Sequence, residues 1–200
     1  MNRFLISLFF FSWWQLSAVF SQTTNIQGVI NQYSKAVTIE DCRSVKVLEP
    51  WLFSAGDRVL LIQMQGAYID LTNTSNFGTI QNLNGAGNYE FLDVDSISGN
   101  VILFEQIISR DYDAGASVQL IKVPQFANAD IIGQLTATPW DGNIGGVLVF
   151  EVTDTLNLGA NIDVSENGFR GAIDVNYSVN DNCGNPDYFY SAPPTNAAYK

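Results

Sequence analysis

Two pairs of carboxylates, Asp93-Val-Asp95 and Asp111-Tyr-Asp113, have the type and spacing for cation chemistry. On a strand, residues i and i+2 share a face, so both acids of a pair can aim oxygens at one hard ion such as calcium. Calcium takes about six to eight oxygens, and neither pair lies in a D-x-[DN]-x-[DN]-G loop. Asn180-Asp-Asn182 and Asp187 add loop oxygens. The competing reading of all these acids is a solvated strand face. As a glycosidase pair they would have to stand about 5–10 Å apart across a sugar, with one pKa raised by an apolar wall. No spacing in the chain fixes that geometry. A carboxylate-based carbohydrate-active enzyme fragment, or a carbohydrate-binding module, is therefore the second reading of function.

The aromatics offer a different chemistry. Trp51, Tyr68, Phe77, Trp140, Tyr188, Phe189 and Tyr190 lie near Gly, Pro or Asn. Exposed rings stack on sugar faces while amides and carboxylates bond the hydroxyls. That makes Trp51, Tyr68, Trp140, Tyr188 and Tyr190 the ligand-binding candidates. Against this, large aromatics are usually buried, and the tendency favours Trp51 and Trp140 as plugs between strands.

Several chemistries are closed to the chain. It contains no histidine, which removes Ser–His–Asp and Cys–His nucleophiles, His-bound zinc and imidazole acid–base catalysis. Gly145-Gly146 and Gly168-Phe-Arg-Gly171 lack the Lys-Ser/Thr of a phosphate loop and read as tight corners. Nine Lys and Arg against twenty Asp and Glu give a net charge of −11, which repels nucleic acid and anionic lipid. The expected function is non-enzymatic, with no cofactor unless calcium.

The elements that must position these residues begin after a leader. Residues 1–21 carry Arg3 as their only charge, an apolar run from Phe4 to Trp14 and a small exit residue, Ser21. This is the pattern of a secretory signal peptide cut before Gln22, leaving no membrane span. A secreted or cell-surface protein is expected. In an oxidising compartment the two cysteines read as a Cys42–Cys183 disulfide; the rival reading leaves Cys183 free or bonded to another chain.

Past the leader, short runs of Val, Ile, Leu and Phe alternate with Gly, Asn, Asp and Ser, which predicts an all-β fold. Strands are expected at Ala36–Ile39, Ser44–Leu48, Arg58–Met64, Asn88–Ile97, Val101–Phe104 and Ser117–Val123. A short helical turn is the one exception, within Gln27–Ala36. Gly66–Gly87 reads as a long excursion ordered by turns, and Ser98-Gly99-Asn100 as a hairpin. After Pro124, Gln125–Ala129 reads as a link to shorter strands at Asp130–Thr138, Val147–Thr153, Thr155–Leu158 and Asn161–Ser165. Their even beat suits the rungs of a solenoid. The division is 22–124 as a barrel or sandwich-like unit, 125–175 as solenoid-like strands and 176–200 as an extended polar tail.

Five segments in order carry a family resemblance: Gly56-Asp-Arg-Val-Leu-Leu-Ile-Gln-Met-Gln-Gly-Ala67, Gly87-Asn-Tyr-Glu-Phe91, Val118-Gln-Leu-Ile-Lys-Val-Pro124, Trp140-Asp-Gly142 with Gly145-Gly-Val147, and Ile162-Asp-Val-Ser-Glu-Asn-Gly-Phe-Arg-Gly171. Together they resemble the N-terminal region of large secreted or surface-anchored proteins of Bacteroidetes-type bacteria, associated with gliding motility and type IX sorting. The resemblance implies an adhesive or structural module whose partner is a glycan or a cell-surface protein, within a longer chain of further domains. A purely architectural role, capping a longer solenoid, is a third reading. An exposed apolar edge near Val147–Val164 would mark it.

Overall fold

The computed structural model describes residues 22–72 and 74–169. The leader, Cys183, Tyr188, Tyr190 and the 176–200 tail lie outside the described residues. Within them the chain is β throughout, apart from one-turn helices at Pro50–Leu52 and Ala114–Ala116.

Six strands close into an antiparallel barrel: β2 (Gln32–Asp41), β3 (Ser44–Val47), β4 (Arg58–Gln63), β7 (Tyr89–Ser98), β8 (Val101–Phe104) and β9 (Val118–Lys122). They run around it in the order β2-β3-β8-β7-β4-β9. Alternation along the strands builds the interior. Val45 and Val47, Val59 and Leu61, Leu92 and Val94, Ile102 and Phe104, and Val118 and Leu120 meet in one core. The hairpin at Ser98–Val101 forms as predicted. Gly99 opens the turn with φ +58, the first-position glycine that a tight hairpin of this hand requires.

β4 is apolar on both faces, and its other face is also used. Leu60 joins Tyr33, Ile121 and Val123 in a second cluster on the outside of the barrel, closed by Ile144, Val147 and Val149. The connector that closes it works on two sides, because Leu148 and Phe150 pack into a third cluster around Ile26, Ala129, Ile131 and Leu135.

That third cluster belongs to a parallel sheet of β1 (Thr23–Val29), β10 (Gln125–Thr136) and β11 (Glu151–Leu158), with β10 in the middle. Ile26, Ile131 and Leu158 stand in register across it. A further parallel bridge, Leu135 to Ile162, continues the stack around a corner. These are the solenoid-like strands, with one rearrangement: the barrel is inserted between the first rung and the second.

Several local expectations change. Gln27–Ala36 holds no helix; the end of β1 and the start of β2 occupy it, with Val29 paired to β10 and Tyr33 to β9. Gln125–Ala129 is not a link but the first half of β10. β9 ends at Lys122 and β10 starts at Gln125, so Pro124 stops one strand without leaving a linker. Val147–Thr153 and Thr155–Leu158 become a single ladder strand, β11, preceded by the connector.

Candidate ligand-binding surface

The Gly66–Gly87 excursion is an arm. Its stem is a two-stranded ribbon of β5 (Tyr68–Ile69) and β6 (Ile80–Asn82). Its tip turns on Asp70, whose backbone bonds Thr79 and Gly78 at 2.9 and 2.8 Å. Asp70 Oδ1 also accepts from the hydroxyl and N–H of Thr72 at 2.6 and 2.8 Å, and Oδ2 from Gln81 at 3.3 Å. The Thr72 bonds, hydroxyl first and N–H second, hold the Asp70 carboxyl below its ordinary pKa.

A buried amide clamps the arm to the barrel. Gln63, fully enclosed at the end of β4, donates to the carbonyls of Gln65 at 2.7 Å and Asn84 at 2.9 Å. Its oxygen accepts the Asp113 N–H at 2.8 Å. Gly66 and Gly85 lie so close that a Cβ at Gly66 would sit 2.8 Å from Gln63 Nε2, and one at Gly85 3.0 Å from its Oε1. The arm is therefore fixed at its root and bare along its length. Tyr68, Leu71, Phe77, Ile80 and Leu83 are each more than half exposed. They stand among the amides of Gln81, Asn82 and Asn84 and the hydroxyls of Thr72 and Thr74.

A groove of about 250 Å³ lies elsewhere, where the barrel meets the connector, lined by Lys35, Leu48, Glu49, Asp141, Asn143 and Ile144. Lys35 Nζ donates to Asn143 Oδ1 at 2.8 Å, and Glu49 is held by Ser34 Oγ at 2.6 Å. Trp51 stands two residues past Glu49 on the one-turn helix.

The two tryptophans part company. Trp51 is 74% exposed, so the core reading fails for it. Its neighbours Leu52 and Phe53 take the places against the core. Trp140 is 5% exposed and meets Phe169 edge-on at 5.4 Å, so it packs the structure and offers no face to a ligand. Tyr68 is 59% exposed.

The acid pairs do not form cation cradles. Asp93 is taken by Arg58 at 2.8 Å and by Gln106 at 2.6 Å. The β7–β8 register slips between Val94 and Ser96, leaving Asp95 at a bulge that breaks the same-face geometry of the pair. Asp113 caps the Ala114–Ala116 turn by accepting the Gly115 N–H at 2.9 Å. The Asp111 carbonyl accepts Asn88 Nδ2 at 3.0 Å. Among the described residues no three carboxylates or thiols are grouped to hold a metal ion. Asp41, Asp70 and Asp163, whose pKa values are displaced, all move down because hydrogen bonds favour their charged forms. Cys42 is exposed in the β2–β3 turn.

No protein-family model and no curated protein matches the chain. Among solved structures it is similar to the gp54 tailspike of Acinetobacter baumannii bacteriophage AP22, solved with an A. baumannii capsular saccharide. There the identity is 18% over 64% of this chain and 21% of that one, with a TM-score of 0.34. The gp49 tailspike of Pseudomonas phage LKA1 is similar at 16% identity over 56% of this chain and 18% of that one, with a TM-score of 0.30. The chain spans about a fifth of either tailspike's length.

Proposed function

We propose that this chain is a secreted, non-enzymatic module of a bacterial cell-surface protein that holds a glycan or surface protein through its arm. The observation that carries the reading is the contrast along 63–87. A fully buried amide locks the root, and five large apolar side chains beyond it face solvent. Five large apolar side chains exposed within one short, rooted segment are a concentration of the kind that serves as a contact site. Tyr68 and Phe77 supply flat faces for a sugar ring or a protein surface, and the neighbouring amides and hydroxyls supply hydrogen bonds. Trp51, 74% exposed, is the accessory contact.

The test is a glycan array together with adhesion to bacterial cells, using the mature chain. Tyr68→Ala with Phe77→Ala abolishes binding while the unfolding midpoint stays where it was; Trp51→Ala lowers binding only in part. Retained binding by the arm double variant contradicts the reading, as does an array and cell assay silent at millimolar ligand.

A further inference from the structure

The arm is almost without charge in a strongly acidic chain. Of nine basic and twenty acidic residues, Gly66–Gly87 holds Asp70 alone. Both Asp70 carboxylate oxygens are engaged inside the arm, Oδ1 by Thr72 and Oδ2 by Gln81 at 3.3 Å. The segment after β8 meets the arm's root and brings Arg110, Asp111 and Asp113, so acids prevail there too. The Asp113 N–H bonds Gln63 at 2.8 Å, and the Asp111 carbonyl accepts Asn88 Nδ2 at 3.0 Å. A uronic or sulfated glycan, or an acidic lipid, would find no cation on the arm. It would also enter the field of a chain whose net charge is −11.

Neutral polar groups stand beside the exposed rings instead. Asn82 is the cross-strand partner of Tyr68, so ring and amide are neighbours on the ribbon. Phe77 lies in a turn closed by the Thr79 N–H on the Asn76 carbonyl at 2.9 Å. Among the described residues the side chains of Asn76 and Thr79 hold no hydrogen bond. Asn82 uses only its oxygen, toward the Asn84 N–H at 2.9 Å. Nine Asn, Gln, Ser and Thr residues lie between Gly66 and Gly87. A bilayer would strip their water and return no hydrogen bonds, whereas sugar hydroxyls replace that water bond for bond. Protein interfaces draw on Arg, Met and aromatic residues, of which the arm has only Tyr68 and Phe77. We propose that the arm's ligand is an uncharged oligosaccharide, stacked on Tyr68 and Phe77 and hydrogen-bonded by Asn76, Thr79 and Asn82. The inference rests on the arm's role as a contact surface and narrows its partner to one chemical class.

The test is an array holding neutral glycans beside uronic, sialylated and sulfated ones, read with the intact chain and with its Tyr68→Ala, Phe77→Ala variant. Phosphatidylcholine vesicles and bacterial cells are read in parallel. The bound glycans are neutral, and the double variant loses them. Their affinity changes by less than about threefold between about 20 and 500 mM salt, because no charge pair is there to screen. An acidic glycan bound through the arm, weakening by more than about threefold over that range, overturns the inference and leaves the arm's contact role standing. Vesicle binding that the double variant loses has the same meaning and assigns the arm to lipid. Cell adhesion that survives periodate oxidation of surface glycans but not protease treatment puts a protein on the arm, and also overturns the inference. Neutral-glycan binding kept by the double variant overturns both this inference and the arm's contact role. Silence on array, vesicles and cells together does the same.

Discussion

At the scale of single residues, three buried amides decide how the parts hold together. Gln63 roots the arm, Gln119 pairs with both the N–H and the carbonyl of Gly145 at 2.9 and 3.0 Å, and Asn31 does the same for Val149 at 3.0 and 2.6 Å. Gln119 and Asn31 act as substitute strand neighbours for a connector that has no ladder of its own. Gln63→Leu leaves two carbonyls and one N–H without partners. Each such loss costs about 1–3 kcal/mol where the group stays dry. Denaturant unfolding should show a loss of about 2–4 kcal/mol, and exchange should quicken first in residues 65–88. A loss below about 0.5 kcal/mol would contradict the clamp. Asp70 gives a pH signature. Its folded pKa lies below the ordinary 3.8, so its contribution to the arm's tip is complete above that value. It fades as pH falls through the lower folded value. The Thr72 amide resonance should titrate with a midpoint under 3.8 and lose that titration in Asp70→Asn; a midpoint above 3.8 would contradict the bond. None of these amides is visible in the sequence as a structural residue. Gln63 and Gln119 stand inside apolar strand runs and Asn31 between two strands, with nothing in those runs to say which backbone groups the amides meet. Only the tertiary fold separates them.

At the scale of elements, local patterning read most of the barrel. Strands β3, β4, β7, β8 and β9 and the Gly99 turn follow from the apolar runs, alternation and turn residues within each segment, whichever strand it pairs with. β1 was hidden. Thr23-Thr-Asn-Ile-Gln-Gly-Val has one buried apolar residue, Ile26, and its partner strand lies about a hundred residues away. A parallel pairing of that reach leaves no local signal. Burial tendency describes tryptophan in general and does not tell Trp51, 74% exposed, from Trp140, 5% exposed. Ile131 should show the rung core directly. It is wholly buried between Ile26 and Leu158, so Ile131→Ala should cost about 2–5 kcal/mol, measured by urea unfolding. A cost under about 1 kcal/mol would mean that the rungs are not packed.

At the scale of the whole molecule, the barrel and the parallel sheet share the connector. Val147 and Val149 seal one side, Leu148 and Phe150 the other. Tyr33 donates to the Val147 carbonyl at 2.6 Å, and burial raises the Tyr33 phenol pKa so that the donor persists. Arg58 adds a bridge from Asp93 on β7 to Glu151 on β11, at 2.8 and 3.6 Å. Being partly exposed, that bridge is worth only about 0–1 kcal/mol. Two units joined this way should melt together, in one calorimetric transition, and limited proteolysis should find no preferred cut between Val123 and Gly146. Two resolved transitions would contradict the shared core. Such a scaffold keeps the arm's root still while its apolar length stays free for a partner.

The most direct test removes the arm and nothing else. Gly66–Gly87 is replaced by a short glycine link, and adhesion to cells and glycan arrays is compared with that of the intact chain. The account predicts that binding disappears while the calorimetric transition stays single. Undiminished binding by the armless protein would contradict it.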